Sequence, residues 1–300
     1  MFSIIICSIH PPLLEQVRAN IEDTISQPYE LLVWDNRESG KGLCEVYNQM
    51  AAKARFPFLC FMHEDILLPN HWGTTVLDTF RQDNGLGLIG ISGSKYKSRT
   101  LSGTATGMLE LDRIEILHKN AKQETIALFN NPAITGIENT VTLDGVFLAT
   151  RKSVWQEFPF NEKILTGFHL YDLDFSVRVQ QKFRIAVLFN LRMTHLTEGG
   201  SFGDHWVDDT IRWHRHYAKI LPASVNMTNG EYRGIESEIR KKWLFRLRTE
   251  NISFYNKLRW FYFSGAITDI RSWPYVGLFF FGKNYKRNSS KNQALSNHDL

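Results

Sequence analysis

Three polar residues, His63-Glu64-Asp65, interrupt a run that is otherwise apolar, with Phe58-Leu59-Cys60-Phe61-Met62 before them and Ile66-Leu67-Leu68-Pro69 after. An apolar strand without a polar face must be covered on both sides, and ligands in such sheets bind beyond the carboxyl ends of the strands. Carboxylates at that place suit Mg²⁺ or Mn²⁺, which take oxygen ligands and substrate phosphates. A carboxylate at a strand end also starts turns and caps helices, and for Asp65 taken alone that alternative stands. The His-Glu pair further suggests a zinc protease, but that motif needs a second His four residues after the first, where this chain has Leu67.

The elements that must position these groups alternate between strand and helix. Ser3 to Ser8 is a β-branched run; Pro11 and Pro12 open a helix whose apolar residues Leu13, Val17, Ile21 and Ile25 fall four apart. Glu30 to Trp34 is a second strand, ended by Asp35 and Asn36, and Gly40-Lys41-Gly42 leads into a helix with Leu43, Val46, Tyr47, Met50 and Ala54 on one stripe. With Phe58 to Met62 as the third strand this is a βαβαβ unit, which places Ser8, Asp35 and Asp65 near one sheet edge. A helix around Trp72 to Arg81 and a strand from Leu86 to Ile91 extend the pattern. No Gly-x-Gly-x-x-Gly follows the first strand and no Walker lysine loop occurs, which disfavours a dinucleotide oxidoreductase or a P-loop NTPase. A diphosphate bound here would need a metal held on carboxylates, and Asp65 is placed for that.

The chain has 300 residues, 43% of them hydrophobic, enough for one large α/β domain and an extension. Three cysteines, Cys7, Cys44 and Cys60, are few and odd in number, which points to a reduced, cytoplasmic protein. The start, Met1-Phe2-Ser3-Ile4-Ile5-Ile6-Cys7, does not read as a signal peptide, and no run approaches the roughly 20 apolar residues of a bilayer span. Residues 239–300 hold twelve Lys or Arg and three Asp or Glu, a balance of +9 in a chain of net +4, so the first 238 residues carry −5.

Four blocks in order resemble the family 2 glycosyltransferases of GT-A fold: Ser3-Ile4-Ile5-Ile6-Cys7, Val33-Trp34-Asp35-Asn36, Tyr47-Asn48-Gln49-Met50-Ala51 and Phe61 to Pro69. Leu143-Asp144-Gly145-Val146-Phe147-Leu148-Ala149-Thr150-Arg151 is similar to the acceptor-side strand of that family, and Tyr171-Asp172-Leu173-Asp174-Phe175 to its Glu-Asp-x-Asp-Leu motif, so that the resemblance covers residues 1–205. It implies a mixed sheet flanked by helices and transfer of a sugar from a nucleoside-diphosphate donor to a saccharide or lipid-linked acceptor, with inversion. The Asp-x-Asp motif becomes His63-Glu64-Asp65: Asp65 is implied as metal and diphosphate ligand, and the first acid is replaced by His63, a neutral group that can still ligate Mn²⁺. Asp35 is implied at the base or ribose, Asp172 as the base that deprotonates the acceptor hydroxyl. Tyr171 stands where the motif has Glu, and Asp174 serves the helix by capping or an ion pair. His195, in Met193-Thr194-His195-Leu196-Thr197-Glu198-Gly199-Gly200, resembles the late His that reaches metal or diphosphate. Ser8, Lys41, Asn48 and Glu64 join the nucleotide-sugar side; Asp144, His169 and Tyr171 join the acceptor side.

The expected division is a transferase domain over 1–222, a basic, aromatic-rich helical extension over 223–287 and a disordered tail over 288–300. Residues Ser92 to Val141 read as an insertion. Trp206, Trp213, Tyr217 and Ile220 are expected on the buried face of one helix, with its histidines, among them His214 and His216, on the wet face. In the extension, basic residues alternate with Trp and Phe, which fits either an interfacial helix on an anionic membrane or helices packed on the core or on a second subunit. No nucleic-acid motif occurs. Two alternatives stay open: a catalytically silent glycan-binding or scaffold protein, and a sugar nucleotidyltransferase, the latter disfavoured because Ser8-Ile9-His10-Pro11-Pro12 stands where its glycine-rich loop belongs.

Overall fold

The computed structural model describes residues 1–119, 124–130, 136–197, 202–227 and 232–282; the expected tail over 288–300 lies outside them. In chain order the elements are β1 (Phe2–Ser8), α1 (Pro11–Thr24), β2 (Tyr29–Asp35), α2 (Leu43–Lys53), β3 (Phe58–Met62), β4 (Ile66–Leu67), α3 (Trp72–Gln82) and β5 (Leu86–Gly90). Next come β6 (Ser92–Ser94), β7 (Tyr96–Lys97), β8 (Asp112–Lys119), β9 (Thr125–Asn130), β10 (Ile137–Thr140), β11 (Thr142–Leu143), β12 (Phe147–Arg151) and α4 (Lys152–Glu157). The remainder comprises α5 (Tyr171–Val179), β13 (Arg184–Leu188), β14 (Met193–His195), α6 (Asp204–His216), β15 (Ala223–Ser224), α7 (Tyr232–Leu247), α8 (Phe254–Phe263) and α9 (Val276–Phe281).

A seven-stranded mixed sheet runs β10-β13-β5-β12-β3-β1-β2. Its parallel half is the anticipated βαβαβ unit, with β1 between β2 and β3, and β12 returns antiparallel beside β3. Side chains alternate between faces at the strand period of two. Ile5, Leu59, Phe61 and Leu148 pack under α2 and α5, while Ile4, Ile6, Cys60 and Met62 pack under α1 and α3. That double coverage is why β3 is apolar throughout and β1 carries only Ser3 and Ser8 as polar residues, and why the charged residues of this strand connection first appear where β3 ends. The helices start where their residues allow: Pro11 and Pro12 occupy the first positions of α1, where no intrahelical N–H is lost.

The stretch from Ser92 to Val141 supplies three of the six strands of a second sheet, β11-β6-β8-β14-β4 with β9 added on β8. Within it β14 lies parallel to β8 and antiparallel to β4, so His195 is level with His118 on one side and Ile66 on the other. The two sheets meet at the end of β3.

A third core joins α6, α7, α8 and α9 to the 96–111 segment, with Trp206 of α6 stacked on Trp243 of α7 at 5.3 Å. Thus the inner face of the C-terminal helices packs on the rest of the chain, and β15 pairs with β7 across the expected boundary at 222. Two expectations for α6 are corrected. Ile220 is exposed, lying past the helix end, whereas His214 is buried beside Trp213, its Nδ1 2.8 Å from the Thr210 carbonyl one turn back. Its position puts it on the same covered side as Thr210, not on the wet one.

Candidate active site

The register sets the site's floor. Ser8 pairs with Asp35 and Ile6 with Met62, so the ends of β1, β2 and β3 share one sheet edge. The chain leaves β3 through His63, whose N–H donates to Val146 O at 3.2 Å, and returns through β4. Consecutive side chains then diverge. Glu64 turns inward and is buried: it accepts from the Ser8 hydroxyl and from the backbone N–H groups of Ile9 and His10 at 3.0 and 3.1 Å. It fastens the β1–α1 loop, and Ser8 is its partner. His63 and Asp65 turn the other way, half-buried.

At Asp65 the second sheet closes in. Leu196 N donates to Asp65 O at 2.7 Å, Thr197 Oγ1 to Asp65 Oδ2 at 2.6 Å, and His195 Nε2 lies 3.1 Å from the same oxygen. His63 Nδ1 sits 3.8 Å from Asp65 Oδ1. His63, Asp65 and His195 each offer a ligating atom, all within 4.8 Å of one another. Among the described residues His195 Nε2 is a buried nitrogen with no hydrogen-bond partner, despite its nearness to the carboxylate, because the two are not aligned. An unpaired imidazole nitrogen and a carboxylate oxygen converging on one point fit a divalent cation.

The outer contacts of His63 favour its ligating tautomer. His63 Nε2 is 3.1 Å from Tyr171 Oη, which in turn donates to Gly145 O at 3.1 Å. His63 therefore donates through Nε2 and keeps the Nδ1 lone pair on the side of Asp65. Behind His195, its Nδ1 meets His118 Nδ1 at 3.4 Å, and His118 also reaches Thr197 O at 3.4 Å. Burial lowers the pKa of both His63 and His118, keeping them neutral, as metal binding requires. Burial works against charge on Asp65, yet His195, Thr197 and His63 outweigh it and hold the carboxyl well below its ordinary range.

Tyr171 joins this cluster to the second carboxylate. It is the first residue of α5, follows Leu170, held at φ +62°, and packs its ring edge-on against Tyr47 at 5.4 Å. Asp172 comes next. Its Oδ2 accepts from Gly145 N at 2.9 Å and its Oδ1 from its neighbour Leu173 N at 2.8 Å. Burial, and then the nearby Asp144 carboxylate, push Asp172 up to about 7. Asp144 accepts from Val146 N at 3.0 Å and shapes the turn that carries Gly145. Gly145 has no room for a side chain, since a Cβ there would stand 2.0 Å from Tyr171 Oη. Asp174 is buried and spent on structure: it pairs with Arg178 at 2.8 Å and accepts from Trp213 and Tyr217 of the α6 region.

Other candidates lie apart from this cluster. Asp35 is exposed and forms a two-pronged pair with Arg37, which holds its carboxyl down to about 2. Lys41 pairs with Glu45 and lies over the Trp34 ring at 5.2 Å. Asn48 is fully engaged in the scaffold. Its oxygen accepts from Trp155 Nε1 at 3.0 Å and Phe160 N at 2.9 Å, while its nitrogen donates to Phe160 O and Glu162, leaving no group for a nucleotide. His169 is half-buried in the loop before α5, its pKa lowered by burial and then by His205. The residue that sequence reasoning missed is His118. It sits in the stretch taken as an insertion, and only the pairing of β8 with β14 brings it to His195.

The profile of a family described as "Glycosyltransferase like family" matches residues 3–215. None of the curated proteins matches the chain. Among solved structures it is similar to GalNAc-T7 with UDP, GalNAc and Mn²⁺, at 10% identity and a TM-score of 0.47, over 65% of this chain and 44% of that one. It thus spans less than half of the GalNAc-T7 chain. It is also similar to the mannosyltransferase PcManGT from Pyrobaculum calidifontis in complex with GDP-Man and Mn²⁺, at 10% identity, 93% and 72% coverage and a TM-score of 0.44. A third similar structure is S. aureus TarS 1-349 in complex with UDP-GlcNAc, at 11% identity, 92% and 78% coverage and a TM-score of 0.48. With the family profile spanning well over half its length, the chain belongs to the glycosyltransferase-like family.

Proposed function

We propose that the protein is a metal-dependent, inverting glycosyltransferase that moves a sugar from a nucleoside-diphosphate donor to a hydroxyl of a saccharide or glycolipid. The observation that carries this is the join between two groups of residues: the His63, Asp65 and His195 cluster, and Asp172, linked through Tyr171 and Gly145. His63, Asp65 and His195 would hold Mn²⁺ or Mg²⁺; the preference falls to Mn²⁺ because two of the three donors are imidazoles. When bound, the cation neutralises the charge that develops on the departing diphosphate.

The remaining steps belong to the chain. Asp172 takes the proton from the acceptor hydroxyl as that oxygen attacks the anomeric carbon, and displacement from the face opposite the diphosphate inverts the centre. Two backbone N–H groups fix the carboxylate's direction, and its raised pKa matches it to proton transfer near neutral pH. Tyr171 fixes the distance between base and cluster. Asp35 and Lys41 remain the proposed contacts to base, ribose or diphosphate, with Arg37 and Glu45 yielding to the nucleotide. Asp144 and His169 remain on the acceptor side.

The test is turnover of UDP-, GDP-, dTDP- and CMP-sugars with Mn²⁺, read as nucleotide release, for the wild type and Asp172→Asn. One donor is expected to be consumed, with the variant slower by about 10²–10⁴-fold yet binding that donor as before. Equal rates in the variant would remove Asp172 from the chemistry, and no donor bound at all would favour a silent scaffold.

A further inference from the structure

His118 touches a ligating residue yet has no part in the reaction proposed above. It comes from β8, in the stretch that reads as an insertion, and lies level with His195 because β8 and β14 run parallel with these two residues in register. Residues paired in this way project on one face of the sheet. The two rings meet edge to face, with centres 5.0 Å apart and planes at 88°. On the other side of β14 the residue level with His195 is Ile66 of β4, which has no polar side chain. Among the described residues His118 Nδ1, at 3.4 Å, is the one hydrogen-bond partner of His195 Nδ1.

That contact can run in either direction, and a second one competes for the same atom, since His118 Nδ1 also lies 3.4 Å from Thr197 O. A neutral imidazole carries one ring proton, so protons on both Nδ1 atoms at once would set N–H against N–H. If His118 keeps its proton on Nδ1, it donates to Thr197 O and His195 Nδ1, and the His195 proton must sit on Nε2. With a cation on the cluster of His63, Asp65 and His195 this arrangement reverses. The Nε2 lone pair is then engaged, the His195 proton stays on Nδ1, and a ligating imidazole passes that N–H to an acceptor. We infer that His118 is this acceptor: a positioning residue, its own proton on Nε2, that receives the His195 Nδ1–H and holds Nε2 turned toward Asp65. The contact to Thr197 O is given up at little cost, because at 3.4 Å it is long. The gain is larger, since His195 Nε2 makes no aligned bond of its own and lies 3.1 Å from the Asp65 carboxylate. The inference rests on the metal-dependent reading of the site and adds that β8, a strand remote in sequence, sets its metal affinity.

The experiment is a Mn²⁺ titration followed by electron paramagnetic resonance, with UDP or GDP present, on the wild type, His118→Phe and His118→Asn, beside the melting temperature of each without metal. Phe keeps a ring against His195 and loses the acceptor. Asn loses the ring and keeps an oxygen near the place of Nδ1. His118→Phe is expected to weaken Mn²⁺ binding about 10–100-fold, and His118→Asn to stay within about threefold of the wild type. A merely space-filling role predicts the opposite order. Should His118→Phe also melt lower, His118→Asn still decides, because near-wild-type affinity there requires an acceptor and not a ring. Equal Mn²⁺ affinity in the wild type and His118→Phe, or tighter binding by His118→Phe than by His118→Asn, would overturn the inference and leave the metal site standing. A wild type that binds no Mn²⁺ with either nucleotide would instead remove the metal-dependent reading, and this inference with it.

Discussion

The ends of β2 and β3 flank the same strand on the same sheet edge, yet they are built differently. At β2, Asp35 is exposed and already matched by Arg37, and Lys41 by Glu45. At β3, three ligating groups arrive from two sheets, half-buried or buried, and among the described residues His195 Nε2 makes no aligned hydrogen bond although it lies 3.1 Å from the Asp65 carboxylate. A satisfied exposed ion pair contributes little and can be exchanged for a ligand at small cost, whereas an unsatisfied buried nitrogen is retained at a cost that a bound group repays. The difference teaches where to look for the reaction: at convergence without satisfaction, not at charge alone.

The comparison is sharpened most by pH. If Asp172 is the base beside the β3 cluster, it must be deprotonated to accept the acceptor's proton. Because burial and Asp144 raise it to about 7, kcat for transfer should fall about tenfold per unit as the pH drops below that value. A flat kcat profile from about pH 5 to 8 would break the assignment. A smaller effect separates scaffold from site. Asn48→Ala leaves Trp155 Nε1 and Phe160 N without their acceptor and should cost about 1–3 kcal/mol in denaturant unfolding, with nucleotide affinity unchanged. The opposite outcome, intact stability with lost nucleotide binding, would return Asn48 to the donor site. The smallest effect belongs to β2. Asp35→Ala should leave Mn²⁺ affinity and melting temperature as they are and weaken nucleotide binding by about tenfold or less, as measured by calorimetry. Loss of Mn²⁺ binding in that variant would erase the distinction between the two strand ends.

Much of this was legible from residue order. The apolar runs and their stops mark β1, β2 and β3: Ile4 to Cys7, Leu31 to Trp34 and Phe58 to Met62 carry no polar side chain apart from thiols and the Trp34 indole, because the strands are covered on both faces. Asp65 stood out because it sits at the end of such a run, whereas Asp172 was implied only by the resemblance of Tyr171-Asp172-Leu173-Asp174-Phe175 to a family motif. What could not be read is how the second sheet closes. His118 lies 55 residues from His63 in a stretch without clear periodicity, and its meeting with His195 depends on a pairing between β8 and the short, distant β14. Glu64 and Asp65 are neighbours, yet one fastens a loop and the other faces the cluster. Side-chain direction at a strand end depends on the turn that follows it. Asn48 shows the converse: an amide within a recognisable block was assigned to the nucleotide, while the structure spends it on Trp155 and Phe160.

The most direct test of the account is a Mn²⁺ titration followed by electron paramagnetic resonance, with UDP or GDP present, on the wild type, Asp65→Asn and His195→Ala. The account predicts saturable binding by the wild type and, in each variant, a loss at least as large as the about 10–100-fold that removing even an outer partner costs a metal site. Equal Mn²⁺ affinity in wild type and Asp65→Asn, or no Mn²⁺ binding by the wild type with either nucleotide, would contradict it.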